Sequence, residues 1–598
     1  VTRTPLRPLA RILKARQNGE NPDGIERENL RLRHEDIRDK ARQRAEGRLL
    51  VLGVFFFCAF SVVGARMGLV AASDPVEPRT MSAESRIVAQ RADIVDRRGR
   101  ILATNLVTHA LYATPPIMVD KSRAARELAA IFPDLKEEDL LKLFTGERKF
   151  LWIKKKLSPE QQQLVHDIGE PGLLFGPREM RLYPNGGLAA HILGGYSFGR
   201  EGVYAAEVIG TAGVEKAFDD FLRDPAERGR PLELSIDLTV QAAVEWVLYG
   251  GMKLMNAKGA AGILMDIHTG EIVAMASLPD FDPNNRPRPL TESDAGDAGD
   301  SPLFNRAVQG VYELGSTFKI FAAAQALELG LANANSMIDA NAPLVWGKFK
   351  INEFRGHNYG PLLSVTDIIV KSSNVGTANL ALMIGPKRQQ EFLASLGFFD
   401  ATPVELIEAP GAKPLIPNRW SELTTITASY GHGMSASPLH LAAAYSSLLN
   451  GGTKVNPTLL KRTSVEPGPR IVRPEVSAAS VSMLRQVVSR GTASFGEVPG
   501  YAVAGKTGTA DKPKPKGGYY DDKVIATFAS VFPAYDPKYV LVVTLDEPVD
   551  TTGPKPRRTA GWTAVPIAAE IIRRTAPLLG LRPMIEQAAA DGLHLTAN

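Results

Sequence analysis

The sequence predicts an α/β protein of the α+β type, a sheet covered by helices, behind a membrane-spanning helix and a second domain of mixed pattern. Three observations carry this. An uncharged apolar run fills residues 49–65. A stretch of mixed composition follows, from Ser73 to about Arg230. From Pro231 the pattern changes to strand, helix and strand hairpin, the opening of a sheet covered by helices.

Taken in order, the elements begin with a basic tail, residues 1–48, carrying Arg27, Arg31, Arg33, Arg38, Lys40, Arg42, Arg44 and Arg48. Part of it, Ile25 to Arg48, has helical character, but a solvated charged arm is the favoured reading. The apolar run LLVLGVFFFCAFSVVGA, extended to Ala72, matches the ~20 residues that span a bilayer core. Arg66 lies near its far end, where a long cation can snorkel. Basic residues ahead of the span hold the tail in the cytoplasm and send the remainder outward. A cleaved signal peptide fits less well, because tail and run are both too long.

Residues 73–230 form the second domain, with β-like runs such as RIVAQRADIVD and an amphipathic helix from Ser122 to Phe132. Residues 231–577 form the third. There LELSID alternates like a strand, TVQAAVEWVLYGGMKLM reads as a helix, and GAAGILMDI and EIVAMAS read as strands around a turn at His268 to Gly270. Arg286 to Ser301 and Asp511 to Lys523 read as loops, and residues 578–598 as a C-terminal tail.

Composition narrows the function. The 598 residues carry a formal net charge of +5, concentrated in the first fifty, and no aromatic-plus-basic strip follows. Nucleic acid is therefore not an expected partner. Cys58 is the sole cysteine, which excludes an intrachain disulfide and a cysteine-based zinc site. His268 reads as a turn residue. His191, His357, His432 and His440 have no ligand-type neighbour at metal spacing and read as structural. No Gly-x-Gly-x-x-Gly or Walker loop points to a nucleotide. No cofactor and no metal is expected.

Three short motifs carry chemistry: Ser316-Thr317-Phe318-Lys319, Ser372-Ser373-Asn374 and Lys506-Thr507-Gly508-Thr509. A serine hydroxyl needs a base in reach, and residues three apart share a helix face, so Lys319 is placed over Ser316. Burial and a second cation, Lys506, would lower its pKa. Gly315 permits a tight turn into the helix, whose N-terminal N–H groups favour an oxyanion. Ser372 can relay a proton, and Asn374 offers a donor and an acceptor to a peptide backbone. Gly508 lets a substrate strand lie against the edge, and Thr507, Thr509 and Lys506 can hold a terminal carboxylate. Singly, these motifs also read as a helix cap, a turn and a surface turn. In this order they form the serine acyl-transfer signature of penicillin-binding proteins and β-lactamases.

The chain resembles a class B penicillin-binding protein over nearly all of its outer part. The stretch from Arg91 to Gly99 (RADIVDRRG), Arg181-Leu182-Tyr183-Pro184 with His191 to Gly194, and Gly210 to Glu215 (GTAGVE) resemble the pedestal motifs. Asn305-Arg306-Ala307 and Glu313 to Ser316 resemble the approach to the active serine. Ala92, Leu314 and Ser437 depart from the usual glycine, proline and threonine. Lys371 to Gly376 (KSSNVG) and Tyr430 to Met434 (YGHGM) are similar to the septal FtsI type rather than the elongation type. The resemblance implies a serine β-lactamase-like transpeptidase fold, with mixed helices around an antiparallel sheet, preceded by an elongated pedestal. It implies peptidoglycan stem peptides ending in D-Ala-D-Ala as substrate, β-lactams as inhibitors, and an FtsW-type glycosyltransferase with other divisome membrane proteins as partners. It implies an inner-membrane location at the division site. A bifunctional enzyme would need acidic glycosyltransferase motifs where the pedestal lies. A β-lactamase would need neither anchor nor pedestal, and a β-lactam sensor would have several spans. Intact Ser316, Lys319 and Lys506 argue against a bare scaffold.

Overall fold

The structure, a computed structural model, describes residues 7–72, 91–201, 206–227, 229–290, 297–514 and 517–584. The chain divides into two units, Val1–Ala83 and Glu84–Asn598.

The first unit is helical: α1 (Arg7–Gln17) and α2 (Pro22–Ala72). The basic arm is solvated, as its composition requires, but from Pro22 it is also helix and runs without a break into the apolar segment. Ion pairs at i,i+4 spacing line the arm, Arg31 with Glu35 at 3.2 Å, Asp36 with Lys40 at 2.6 Å and Arg42 with Glu46 at 2.8 Å. Each such pair adds a few tenths of a kcal/mol to a helix, ~0.2–0.5. From Leu49 to Ala65 every side chain is exposed. A helix apolar on all faces with no protein around it is matched to lipid, and this one is long enough to cross a bilayer. Residues 73–90, which include the start of RIVAQRADIVD, lie outside the described residues.

The second unit opens with β1 (Ile94–Val95), β2 (Ile101–Ala113), α3 (Lys121–Ile131), α4 (Glu137–Thr145), β3 (Leu151–Leu157), α5 (Pro159–Asp167) and β4 (Leu173–Leu182). Long β2 pairs antiparallel with β1, β3 and β4. Helices α3 to α5 close over its far end, around a separate core of Leu111, Leu128, Phe132, Phe144 and Val165. Short α6 (Ala190–Leu193), the hairpin β5 (Gly195–Glu201) and β6 (Ala206–Ala212), α7 (Gly213–Ala217) and α8 (Asp219–Arg223) follow. Of LELSID only β7 (Leu232–Glu233) is strand, paired parallel to β1.

The three pedestal motifs meet in one buried ion cluster. Glu215 accepts from Arg91 at 2.6 Å and Arg181 at 2.7 Å, and Arg91 also reaches Asp219 at 2.7 Å. The Tyr183 hydroxyl adds a longer bond to Glu215 at 3.3 Å. Nearby, Asp96 accepts the N–H groups of Arg98, Arg100 and Leu238, and Arg100 bridges Asp96 to Asp237. A cluster this dry is worth little as attraction, but each partner is indispensable to the others.

The remainder is one large domain. Helix α9 (Leu238–Leu254) is capped by the Asp237 carboxylate, which accepts from the N–H of Thr239 and Val240. Strands β8 (Gly259–Asp266) and β9 (Ile272–Leu278) flank the predicted turn. They are buried on both faces, which is why they read as unbroken apolar runs rather than as alternation. After α10 (Lys319–Glu328) come two small two-stranded sheets, β10 (Met337–Asp339) with β13 (Leu362–Ser364) and β11 (Leu344–Trp346) with β12 (Phe349–Ile351). Helices α11 (Val365–Lys371), α12 (Asn374–Ile384), α13 (Pro386–Ser395), α14 (Glu422–Ser429), α15 (Pro438–Leu449) and α16 (Pro474–Arg490) follow. The chain returns through β14 (Ala504–Pro513), β15 (Tyr519–Phe532) and β16 (Tyr539–Asp546) to α17 (Ala564–Leu578). The five-stranded sheet has the order β14-β15-β16-β8-β9 and is antiparallel throughout.

One expectation is overturned here. Residues 511–523 are not a simple loop: β14 continues to Pro513 and β15 starts at Tyr519, so the sheet ends in a projecting hairpin. Proline is tolerated because β14 is an edge strand. Lys512 is pinned by Asp546 and Glu547, both at 2.8 Å. Within the tail, residues 585–598 lie outside the described residues.

Candidate active site

Ser316 stands on a single 3₁₀ turn, Gly315–Phe318, that leads into α10. Three segments of the chain hold that turn. Gly315 has φ +57°, a left-handed conformation that glycine adopts at no steric cost, and its N–H donates to Gly431 O at 3.3 Å. A Cβ on Gly431 would collide with the Gly315 backbone, and a Cβ on Gly508 would collide with the Leu314 carbonyl. From behind, the Tyr445 hydroxyl donates to Thr317 O at 2.7 Å. The turn is thus wedged between β14 and residues 430–433. Gly315, Thr317 and Phe318 are buried, and Ser316 alone is partly exposed. The bare edge at Gly508 therefore has a reason beyond the close approach of substrate: the nucleophile's own turn occupies that space.

Lys319 and Lys506 are fully buried and converge on Ser372, which ends α11 in a left-handed conformation at φ +61°. Lys319 Nζ donates to Ser372 O at 2.5 Å, Ser372 Oγ at 3.1 Å and Asn374 Oδ1 at 2.7 Å. Lys506 Nζ donates to the same Ser372 Oγ at 3.0 Å and to Thr507 O at 3.2 Å. All three donors of a Lys319 ammonium are thus directed at the second motif rather than at Ser316. A hydroxyl with two lone pairs can accept from both lysines and still direct its own proton elsewhere. Burial lowers the pKa of Lys319 to about 7, against the opposing field of Glu353. Burial, joined by repulsion from Lys319, holds Lys506 well below the ordinary lysine range. A neutral amine at neutral pH is what a lysine base needs.

Glu353 is a site residue that no motif announces. It is buried, and its carboxylate accepts from Ser373 Oγ at 2.5 Å, Asn374 N at 2.7 Å and Val375 N at 3.2 Å. A negative charge at the N-terminus of α12 satisfies orphan N–H groups and the helix dipole together. Asn374 Nδ2 donates to Asn352 O at 3.0 Å, so the side chain is held at both ends.

On β14, the Thr507 hydroxyl meets that of Thr492 at 2.8 Å, and Thr509 Oγ1 accepts from Ala560 N at 3.0 Å. Having accepted there, the Thr509 hydroxyl keeps a proton to donate. The predicted residues Ser316, Lys319, Ser372, Asn374, Lys506, Thr507, Gly508 and Thr509 all lie on the three segments that meet here. The histidines behave differently. His191 contacts Pro302 O, His268 contacts Pro537 O, and His440 contacts Ser437 Oγ and Asp400 O. Among the described residues no His, Cys, Asp and Glu group could hold a metal ion.

A tightly wedged serine turn at a helix head, two buried lysines on one hydroxyl and a bare strand edge define a serine acyl-transfer site. Residues 260–573 match the penicillin binding protein transpeptidase domain, and residues 86–227 the penicillin-binding protein dimerisation domain. The chain belongs to the class B penicillin-binding proteins, the serine D,D-transpeptidases, in their septal FtsI group. It is 35% identical over 573 residues to the probable peptidoglycan D,D-transpeptidase FtsI of Caulobacter vibrioides, spanning 93% of each chain. It is 29% identical to peptidoglycan D,D-transpeptidase FtsI of Escherichia coli K12, over 77% of this chain and 80% of that one. Its structure is similar to penicillin binding protein 3 of Mycobacterium tuberculosis crystallised with aztreonam, with a TM-score of 0.62 and 26% identity. That match covers 83% of this chain and 97% of the other.

Proposed function

We propose that this protein acylates Ser316 with a stem peptide ending in D-Ala-D-Ala and passes the acyl group to an amine of a neighbouring strand, cross-linking septal peptidoglycan. The single observation that carries the reading is Ser372 Oγ, which receives a hydrogen bond from each of the two buried lysines. In the acylation step neutral Lys319 takes the Ser316 proton, Ser316 Oγ attacks the penultimate carbonyl, and Ser372 hands a proton to the leaving D-alanine. Lys506, Thr507 and Thr509 hold the substrate carboxylate, Asn374 aligns its backbone, and Gly508 keeps the strand edge clear. β-Lactams acylate the same serine.

The same proposal divides the chain into a cytoplasmic tail (1–48), a membrane helix (49–72), a pedestal (73–230), a transpeptidase domain (231–577) and a tail (578–598). The N-terminus is cytoplasmic and the catalytic domain periplasmic, on the inner membrane at the division site. An FtsW-type glycosyltransferase and other divisome membrane proteins are the partners. The excess of arginine and lysine before the span supports this orientation. Intact-mass analysis after penicillin treatment should find one stable adduct, mapped to Ser316 and absent from Ser316→Ala. Rapid drug turnover, or an adduct on another serine, would overturn the assignment.

A further inference from the structure

Glu313 and His432 belong to none of the three motifs, yet both flank the nucleophile turn. Glu313 lies three residues before Ser316 and is only 9% exposed. Its Oε1 accepts from Gly433 N at 2.9 Å and from the Tyr519 hydroxyl at 3.0 Å. Its Oε2 is buried and has no hydrogen-bond partner among the described residues. His432 immediately precedes Gly433, with its ring 5.5 Å from that of Tyr430. Its Nδ1 is also buried without a partner among the described residues. The segment that carries it presses on the turn through Gly431 and Gly315.

A buried carboxylate oxygen left unpaired is unusual, because a charge out of water is costly unless it meets a cation or a donor. The nearby lysines do not serve it. Lys319 and Lys506 are spent on Ser372, and Lys512 on Asp546 and Glu547. Tyr519 already donates to Oε1, and burial with the Glu313 charge pushes its hydroxyl up to about 12, so it remains a donor. Beside the nucleophile turn, Glu313 Oε2 and, with the ring proton on Nε2, His432 Nδ1 are therefore two acceptors that no donor serves among the described residues. The reaction brings one such donor, since an amine acceptor arrives at neutral pH as an ammonium with three N–H groups.

We propose that Glu313 and His432 form the subsite that receives the acceptor amine: Glu313 Oε2 pairs with the ammonium and His432 Nδ1 takes its first proton. The inference rests on the transpeptidase reading above and adds the chemistry of the second substrate, a primary amine on a side chain. The balance is simple. One ammonium proton passes to His432 and on to solvent, and the freed lone pair attacks the Ser316 ester carbonyl. The C–N bond forms and the C–Oγ bond breaks. A second proton returns to Ser316 Oγ, and the third stays on the new amide.

The test uses the full chain in detergent, a D-alanyl thioester as acyl donor and two nucleophiles. Nα-acetyl-lysinamide offers an ammonium, whereas hydroxylamine is uncharged at neutral pH. The quantity read is the ratio of amine product to hydrolysed acid, which does not depend on how much enzyme is folded. Glu313→Gln should lower the ratio for the lysine amine roughly tenfold to a hundredfold, the worth of one charged hydrogen bond, and move the hydroxylamine ratio far less. His432→Gln should also lower the lysine-amine ratio, since an amide cannot take the proton. Equal losses for both nucleophiles in Glu313→Gln, matched by Tyr519→Phe, would mark a purely structural tie to Gly433 and the hairpin and overturn the proposal. A native protein that only hydrolyses the donor with either nucleophile would overturn the transpeptidase reading, and the subsite with it.

Discussion

Glu353→Gln separates holding Asn374 in place from tuning Lys319. The native carboxylate serves three donors: Ser373 Oγ and Val375 N on one oxygen, Asn374 N on the other. Glutamine has the same reach but one oxygen and one NH₂, and its less disruptive orientation turns the NH₂ toward Asn374 N. One buried N–H then loses its acceptor, at a cost of about 1–3 kcal/mol. The N-terminus of α12 also loses its charge, worth up to ~2 kcal/mol in a partly buried site. Asn374 shifts, and the plateau rate of acylation should fall roughly tenfold, the equivalent of ~1.4 kcal/mol. The pH profile should move the other way. The charge of Glu353 raises the pKa of Lys319, which burial brings to about 7. Without that charge the lysine loses its proton more easily. The active form is the neutral amine, so the acid limb of the profile shifts to lower pH. The assay is the rate of acylation by a fluorescent penicillin from roughly pH 5 to 9, with the acid limb fitted separately from the plateau. A limb displaced to higher pH, or an unchanged plateau, would refute the reasoning.

Other perturbations probe separate parts of the structure. Lys319→Arg keeps the positive charge but cannot become a base, so penicillin acylation should fall by about 10²–10⁴; near-normal labelling would show that another group takes the proton. Gly508→Ala places a methyl against the Leu314 carbonyl and 2.8 Å from Thr317 Cγ2. Overpacking there should cost about 1–3 kcal/mol and slow acylation, read by labelling rate beside thermal unfolding, whereas unchanged labelling would mean that the strand can yield. Glu215→Gln leaves Arg91 and Arg181 without a full counter-charge, a loss of up to ~3–5 kcal/mol. Limited proteolysis should then cut the pedestal earlier while Ser316 still takes penicillin; an unaltered digestion pattern would show that the cluster bears no load.

The site was legible where chemistry demands fixed spacing. Ser316 and Lys319 must share one helical face, and Lys506 to Thr509 must form a continuous strand edge, so short strings reveal them. Glu353 was not legible, because it is a single acid in a polar stretch and its partners lie some twenty residues on. The direction of Gly508 was hidden too. Its sequence shows a missing side chain, but not whether substrate or the protein's own turn fills the space. In the fold, the Asp237 cap of α9 came to light only in the structure, whereas β8, β9 and α9 followed from apolar pattern. The hairpin at 511–523 did not, since a ladder of main-chain hydrogen bonds can carry lysine and proline past the point where composition reads as loop. The pedestal motifs were visible one by one, while their meeting at Glu215 depends on contacts distant in sequence, such as Arg91 with Glu215, more than a hundred residues apart.

The main-chain wedge around Ser316 constrains how this centre can change by mutation. At Gly431 and Gly508 the room a side chain would need is filled by backbone of the nucleophile turn, and Gly315 is tied by its own φ. No single substitution at these three positions can resculpt the reacting centre gently: each would pry the turn out of place. Inherited variation in drug fit or substrate choice must therefore enter from the rim, through the exposed hairpin at the end of β14 and the side chains of Tyr430 and His432. Selection by an antibiotic would be expected to leave its marks on that periphery while the central turn stays as it is.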